Sequence, residues 1–207
     1  MRDNSFALVR LVRWVGAVGL AATLATPART MDFAVHPAAD TKVVFTSKAA
    51  IETFEGKTNR MEGKLTLDPG AIGDSITVHF EVDMASLDTG MKKRNEHMRK
   101  EHLETAQYPR AVFDGAAVLS PRGAKLEPGQ ARSFQVEGTF LLHGVSRRLR
   151  CDATATYMPN SKPAHLMFTA TFPVTLADYA IKRPEFLFLK LAETQQVRVS
   201  ANASSVP

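Results

Sequence analysis

The sequence predicts an all-β, antiparallel, single-domain protein of about eight strands. Three observations predict it. Apolar residues recur with a period of two over most of the chain, the alternation of a strand whose two faces meet different surroundings. Clusters of Gly, Pro, Asn and Asp punctuate these runs, and their backbone preferences favour turns. No strand-like run alternates with a long helical pattern, which argues against βαβ units and a parallel sheet.

The chain opens on a segment that reads as targeting rather than fold. Arg2, Arg10 and Arg13 are followed by an uncharged run from Trp14 to Ala25. That run is shorter than the ~20 apolar residues needed to span a bilayer, but it suits the apolar centre of a signal peptide. Thr26-Pro27-Ala28 offers small residues for cleavage before Arg29; an uncleaved anchor is the alternative. No Cys lies near that junction, so a lipoprotein anchor there is excluded. Residues 1–28 are therefore expected to be a signal peptide and residues 29–207 one domain, large enough for a real core. Three arginines and one aspartate leave with the leader, so a net charge of +5 falls to about +3. With no basic stripe interleaved with aromatics, this gives no case for a nucleic-acid partner.

Strands are expected at Thr41–Lys48, Thr53–Leu67, Ile76–Asp83, Ala111–Leu119, Ser133–Leu142, Val145–Tyr157, His165–Val174 and Gln195–Ala203. Asp68-Pro69-Gly70 with Gly73-Asp74, the stretch Pro121–Gly129, and Pro159-Asn160-Ser161 separate them. His143-Gly144 suits a two-residue hairpin turn with positive φ. Thr89–Ala106 breaks the pattern. It lacks Pro, is rich in helix formers, and carries a sparse apolar stripe of Met91, Met98 and Leu103. A helical insertion over one end of the sheet is expected there. Glu185–Glu193, after Arg183-Pro184, reads as a short helix or an irregular apolar segment. Eight such strands bury their apolar face by closing into a barrel or by packing as two sheets. A barrel of eight is just wide enough to fill itself or to hold one slender ligand.

The inward phase is rich in aromatics: Phe45, Phe80, Phe113, Phe134, Phe140, Phe168 and Phe172. They make either a packed core or the lining of a tunnel, to which Val78 and Leu142 add aliphatic surface. Small inward residues (Gly63, Gly138, Ala153, Ala170) would leave room for an alkyl or isoprenoid chain. The single cysteine, Cys151, rules out an internal disulfide and falls on an apolar strand face as a small hydrophobe. His97 and His102 are five apart, a poor match to a helical metal pair, and no HExxH occurs. His79 and His165 fall in the outward phase and His143 in a turn. Gly73-Asp74-Ser75-Ile76 is similar to the nucleophile block of one esterase group, but four residues at a turn explain themselves. No G-x-S-x-G and no phosphate-binding Gly loop is present. Arg147, Arg148 and Arg150 split between two strand faces. Lys92, Lys93, Arg94, Arg99 and Lys100 read either as a solvated helix face or as partners of an anionic head group.

Four motifs then carry a resemblance. Ser86-Leu87-Asp88-Thr89-Gly90 is followed by Arg94-Asn95-Glu96-His97-Met98-Arg99, then by Tyr108-Pro109-Arg110-Ala111-Val112-Phe113 and Gly138-Thr139-Phe140-Leu141-Leu142-His143-Gly144-Val145-Ser146. Together with Asp32-Phe33, Phe54-Glu55-Gly56 and Gly63-Lys64-Leu65 they resemble the YceI-like family, from about Asp32 to Val199. The resemblance implies a lipocalin-like, up-and-down barrel of eight antiparallel strands. It also implies a periplasmic or secreted protein of a Gram-negative-type bacterium that binds polyisoprenoids or fatty-acyl amphiphiles, with no defined catalysis and no cofactor. The chain departs from the family pattern at His36-Pro37-Ala38-Ala39, at Leu103-Glu104-Thr105 and at Asp178-Tyr179-Ala180-Ile181-Lys182, positions expected at the tunnel mouth.

The expectation is a binding protein rather than an enzyme. An apolar chain lies among Phe45, Val78, Phe80, Phe113, Phe134, Phe140, Leu142, Phe168 and Phe172, and its head meets Arg94, His97 and Arg99. No metal, no nucleic acid and no stable membrane insertion after cleavage are expected, and a homodimer is an admitted assembly. The rivals are a non-enzymatic stress or interaction module with a filled core and a lipid-acting enzyme using His97 or His102.

Overall fold

The structure, a computed structural model, describes residues 29–48, 53–73, 76–119, 124–186 and 189–206. Residues 1–28, where a signal peptide is expected, and Asp74-Ser75 of the esterase-like block lie outside them. The strands are β1 (Met31–Val35), β2 (Lys42–Lys48), β3 (Thr53–Thr58), β4 (Met61–Leu67), β5 (Ile76–Asp83) and β6 (Arg110–Leu119). They continue with β7 (Ala131–Leu142), β8 (Val145–Met158), β9 (His165–Thr175), β10 (Glu185–Phe186), β11 (Leu189–Lys190) and β12 (Thr194–Ser205). Between β5 and β6 lies helix α1 (Lys92–His97), which continues as a wider π turn through Met98–His102.

These strands make a closed, eight-stranded antiparallel barrel in which two walls are each built from a broken strand. The order runs β1-β4-β5-β6-β7-β8-β9-β12, and β12 returns to β1. One edge of β12 pairs with β9 from Thr194 to Ser204. Its other edge is shared: Gln196–Ser200 face β2, and Ser204 and Ser205 face β1. The same division runs through the neighbouring wall, where β1 pairs with β4 and β2 with β3. Residues 31–48 are thus one interrupted wall, and residues 53–67 another. Pro37 sits in the first break; lacking an N–H, it cannot serve a ladder. Thr41 mends the gap, donating Oγ1–H to His36 O (3.0 Å). The second break, at Asn59-Arg60, divides a run whose alternation reads as one strand. It lets β4 pair with β5 while β3 turns to Asp88, exchanging two backbone hydrogen bonds between Lys57 and Asp88 (both 2.9 Å).

One end of the barrel is plugged. The 68–73 and 124–129 segments bind each other through Ile72 N–H to Ala124 O (2.9 Å) and Leu126 N–H to Pro69 O (2.7 Å). Ile72, Ala124 and Leu126 pack there with the fully buried Phe33. The other end is roofed by α1 with its π turn and by parts of the 176–186 and 189–193 segments. The helical insertion is shorter than Thr89–Ala106: Gly90 (φ +79°) precedes it and Glu104 (φ +43°) ends it. His143-Gly144 forms the expected turn, with φ of +52° and +74°. Glu185–Glu193 is not a helix. Its described backbone makes a small hairpin, β10 with β11, which the Pro184 carbonyl closes by accepting from Leu191 N–H (3.2 Å).

Candidate functional site

The barrel encloses a cavity of about 760 Å³, within the range of ligand pockets, ~300–1,000 Å³. Its wall is almost wholly apolar. Phe45, Val78, Phe80, Phe113 and Phe134 line it, as do Phe140, Leu142, Phe168 and Phe172. Ala153 and Ala170, opposed in register, line it too. Among the described residues the only ionisable lining groups besides the Cys151 thiol are Lys93, Arg94, His97 and His102, all from the helical roof, which makes that end of the cavity polar. Among the described residues no three His, Cys, Asp or Glu side chains converge as metal ligands.

The space survives because several phenylalanines lie along the wall. Phe45 faces Gly56 across β2–β3, and Phe80 faces Gly63 across β4–β5. In both, a Cβ on the glycine would collide with the ring. Phe113 covers Gly115 and Gly138, where a Cβ would lie 2.8 Å from its ring in each case. Gly63 and Gly138 therefore do not themselves leave room for a chain, as their phase suggests. They give the rings a flat wall to lean on, the cross-strand aromatic–glycine pairing that stabilises sheets. Phe80 does one thing more. Strands β5 and β9 stand opposite each other, and Phe80 stacks on Phe168 across the lumen, with centroids 5.3 Å apart and planes 19° from parallel. The stack narrows the tunnel partway along its length.

The roof is pinned by polar contacts. Asn95 Oδ1 accepts from Thr89 N–H (2.8 Å) and Oγ1–H (2.7 Å), and its Nδ2 donates to Asp88 Oδ1 (2.7 Å). That bond, then the Gly90 N–H, holds the Asp88 carboxyl below its ordinary pKa. Arg94 Nε donates to Thr89 Oγ1 (3.0 Å), and its guanidinium lies 4.0 Å over the Phe54 ring. His102 Nδ1 donates to Lys182 O (3.0 Å), joining the two roof segments. His143, buried in its turn, meets Tyr179 O (3.1 Å) and Glu104 Oε2 (2.8 Å) through its two ring nitrogens. Tyr108 packs on the same ring, with centroids 4.4 Å apart.

Arg94 and His97 line the cavity at its helical end. Arg99 is no part of the lining: it points its guanidinium away, donating to Leu87 O (2.8 Å). Of the departures from the family pattern, Leu103 and Ile181 line the cavity, whereas His36–Ala39 lie exposed in the break between β1 and β2. Cys151 is buried in the wall, and burial pushes its thiol pKa up to about 12. Two polar lining residues escaped the sequence reading. Ser47 stands two residues beyond Phe45, and Gln195 two before Val197, so strand phase alone places both inward.

The model of the YceI-like domain matches residues 33–203. The chain belongs to the YceI-like family. Its fold is shared by Burkholderia cenocepacia BcnA (TM-score 0.64, 20% identity, covering 79% of this chain and 96% of that one). A polyisoprenoid binding domain from Saccharophagus degradans, implicated in plant cell wall breakdown, is also similar (TM-score 0.65, 17% identity, 86% and 100% covered). So is the Campylobacter jejuni YCEI protein (TM-score 0.63, 14% identity, 76% and 88% covered). No curated protein matches the chain in sequence.

Proposed function

We propose that this YceI-like protein is an exported carrier that sequesters a polyisoprenoid or similar long-chain amphiphile, the chain in the barrel and the head at the helical end. The observation that carries the reading is the distribution of polarity: a 760 Å³ apolar cavity whose ionisable rim, among the described residues, is Lys93, Arg94, His97 and His102. Burial of each methylene contributes about 0.8 kcal/mol. A chain of some twenty carbons therefore offers on the order of 16 kcal/mol before the costs of association. The solved domain whose described ligand class is polyisoprenoid supports the same use of the fold. Retention alone performs this function; no bond need be made or broken. The leader at residues 1–28 would take the chain to the periplasm, where such a carrier keeps an insoluble molecule out of water.

The test is native mass spectrometry of the protein isolated from its own cell envelope, followed by organic extraction. A bound mass that matches an extracted isoprenoid or acyl lipid is the expected result. A ligand-free mass, together with no uptake of added polyprenyl lipid, would overturn the reading.

A further inference from the structure

We propose that Ser47 and Gln195 form a head-group subsite in the tunnel wall that reads a neutral head able both to donate and to accept a hydrogen bond, a terminal hydroxyl being the simplest. The inference rests on the tunnel reading above and adds the chemistry of the head. Ser47 is 1% exposed and Gln195 7%. Thr46 faces Gln196 and Phe45 faces Val197 in the β2–β12 register, so Ser47 and Gln195 are the next opposed pair, on the cavity side. Side chains so opposed have Cβ atoms about 4.5–5.5 Å apart. Among the described residues they are the only hydroxyl and amide side chains in the lining.

Their second property is independent of their place. Among the described residues five buried side-chain polar atoms lack a partner, and Ser47 Oγ and Gln195 Oε1 are two of them. The other three, on Arg99, Arg132 and Asn202, belong to residues outside the lining. Folded proteins pair nearly all such atoms, because an unpaired buried oxygen forfeits the bond it had with water. Here both orphans belong to the two neutral polar residues of an otherwise apolar wall.

The amide orientation fixes what the partner must be. Gln195 Nε2 donates to Ala192 O (2.6 Å), so the reversed amide would set oxygen against oxygen. Oε1 is therefore a committed acceptor and needs a donor. Ser47 carries a hydroxyl proton with no acceptor. A ligand hydroxyl serves both, accepting from Ser47 and donating to Gln195. A quinone or ester carbonyl accepts from Ser47 and offers Gln195 nothing. An ionised carboxylate has no proton to give, and a phosphate, even as the monoanion that keeps one O–H, would place negative charge against Oε1. Phe54, the register partner of Ser47, and Val174, that of Gln195, are both lining residues that shield the pair from water.

The experiment measures competitive loading of the delipidated full chain with geranylgeraniol, its methyl ether and ionised geranylgeranoic acid, read by native mass spectrometry. The alcohol is expected to bind about tenfold tighter than the ether, which cannot donate (tenfold being ~1.4 kcal/mol). Ser47→Ala and Gln195→Met are each expected to reduce that preference towards unity while leaving ether affinity unchanged. Ligand-free Ser47→Ala should melt no lower than wild type, since it loses only an unpaired oxygen; a purely structural serine would lower the melting temperature. Equal wild-type binding of alcohol and ether, a preference for the acid, or a preference untouched by both substitutions would each overturn the subsite and leave the carrier standing. Failure of all three probes to load would refute the carrier reading, and the subsite with it.

Discussion

Filling the tunnel distinguishes a hollow barrel from a packed one by the sign of the stability change. Ala153 and Ala170 face each other across β8–β9, and both line the cavity. Ala153→Leu/Ala170→Leu adds three carbons at each site. At ~0.8 kcal/mol per buried methylene, six such groups are worth at most about 5 kcal/mol, and incomplete burial halves that. The expected result is a ligand-free protein stabilised by ~2–5 kcal/mol, with a raised urea midpoint, an unchanged m-value and little lipid retained after purification. A core already filled by its phenylalanines behaves oppositely. Inserting carbons there forces rotamers and backbone aside, at a cost of roughly 1–3 kcal/mol. Equilibrium urea unfolding of delipidated protein, with lipid extraction of an undelipidated sample, measures both halves. A lowered midpoint would refute the hollow-barrel reasoning, and an unchanged lipid load would refute the placement of the chain.

Two further outcomes follow from single groups. Phe140, 9% exposed, meets Phe172 and Tyr179 edge-on with both centroids 5.6 Å away; Phe140→Asp sets an unpaired carboxyl among them and should abolish lipid retention. If extraction shows ligand still bound to a folded Phe140→Asp protein, the tunnel assignment fails. Burial raises the Cys151 thiol to about 12 in the folded state, against ~8.5 in an unfolded chain. The unfolded chain loses its proton first, so the contribution is whole below pH ~8.5 and is lost as pH rises towards about 12. Urea midpoints across that window should fall more steeply for wild type than for Cys151→Ala, and equal slopes would contradict the burial.

The eight walls were legible because alternation is a local property. A strand facing an apolar lumen writes its phase into every second residue, and Asp68-Pro69-Gly70 and His143-Gly144 mark where the chain turns. Less was legible wherever a residue answers to a distant strand. The break at Asn59-Arg60 goes with a pairing to a residue far along the chain, since Lys57 of β3 bridges to Asp88. Phase put Gly63 and Gly138 on the inner face but could not show that Phe80 and Phe113 cover them. Arg99 shares the basic surface of the roof with Arg94, yet helical geometry turns one to Leu87 O and the other over Phe54. Ser47 and Gln195 carried a usable signal, polar residues in an inward phase, which becomes notable only once β2 and β12 are known to be neighbours.

The size of the cavity itself constrains how the protein lives. The cavity of about 760 Å³ opens to solvent, so water or an amphiphile fills it. Water is a poor tenant, since the wall offers it only Ser47, Gln195 and the rim as polar contacts. An apolar chain meets Phe, Leu and Val along its whole length and also stabilises the folded state by mass action. Phe80 and Phe168, stacked across the lumen, hold part of that space when no chain is present. Their mutual attraction of ~0.5–1.5 kcal/mol is small beside what a long chain gains by entering. On the carrier reading the stack is a contact that a bound chain would replace, and the rings that narrow the tunnel would line the filled one.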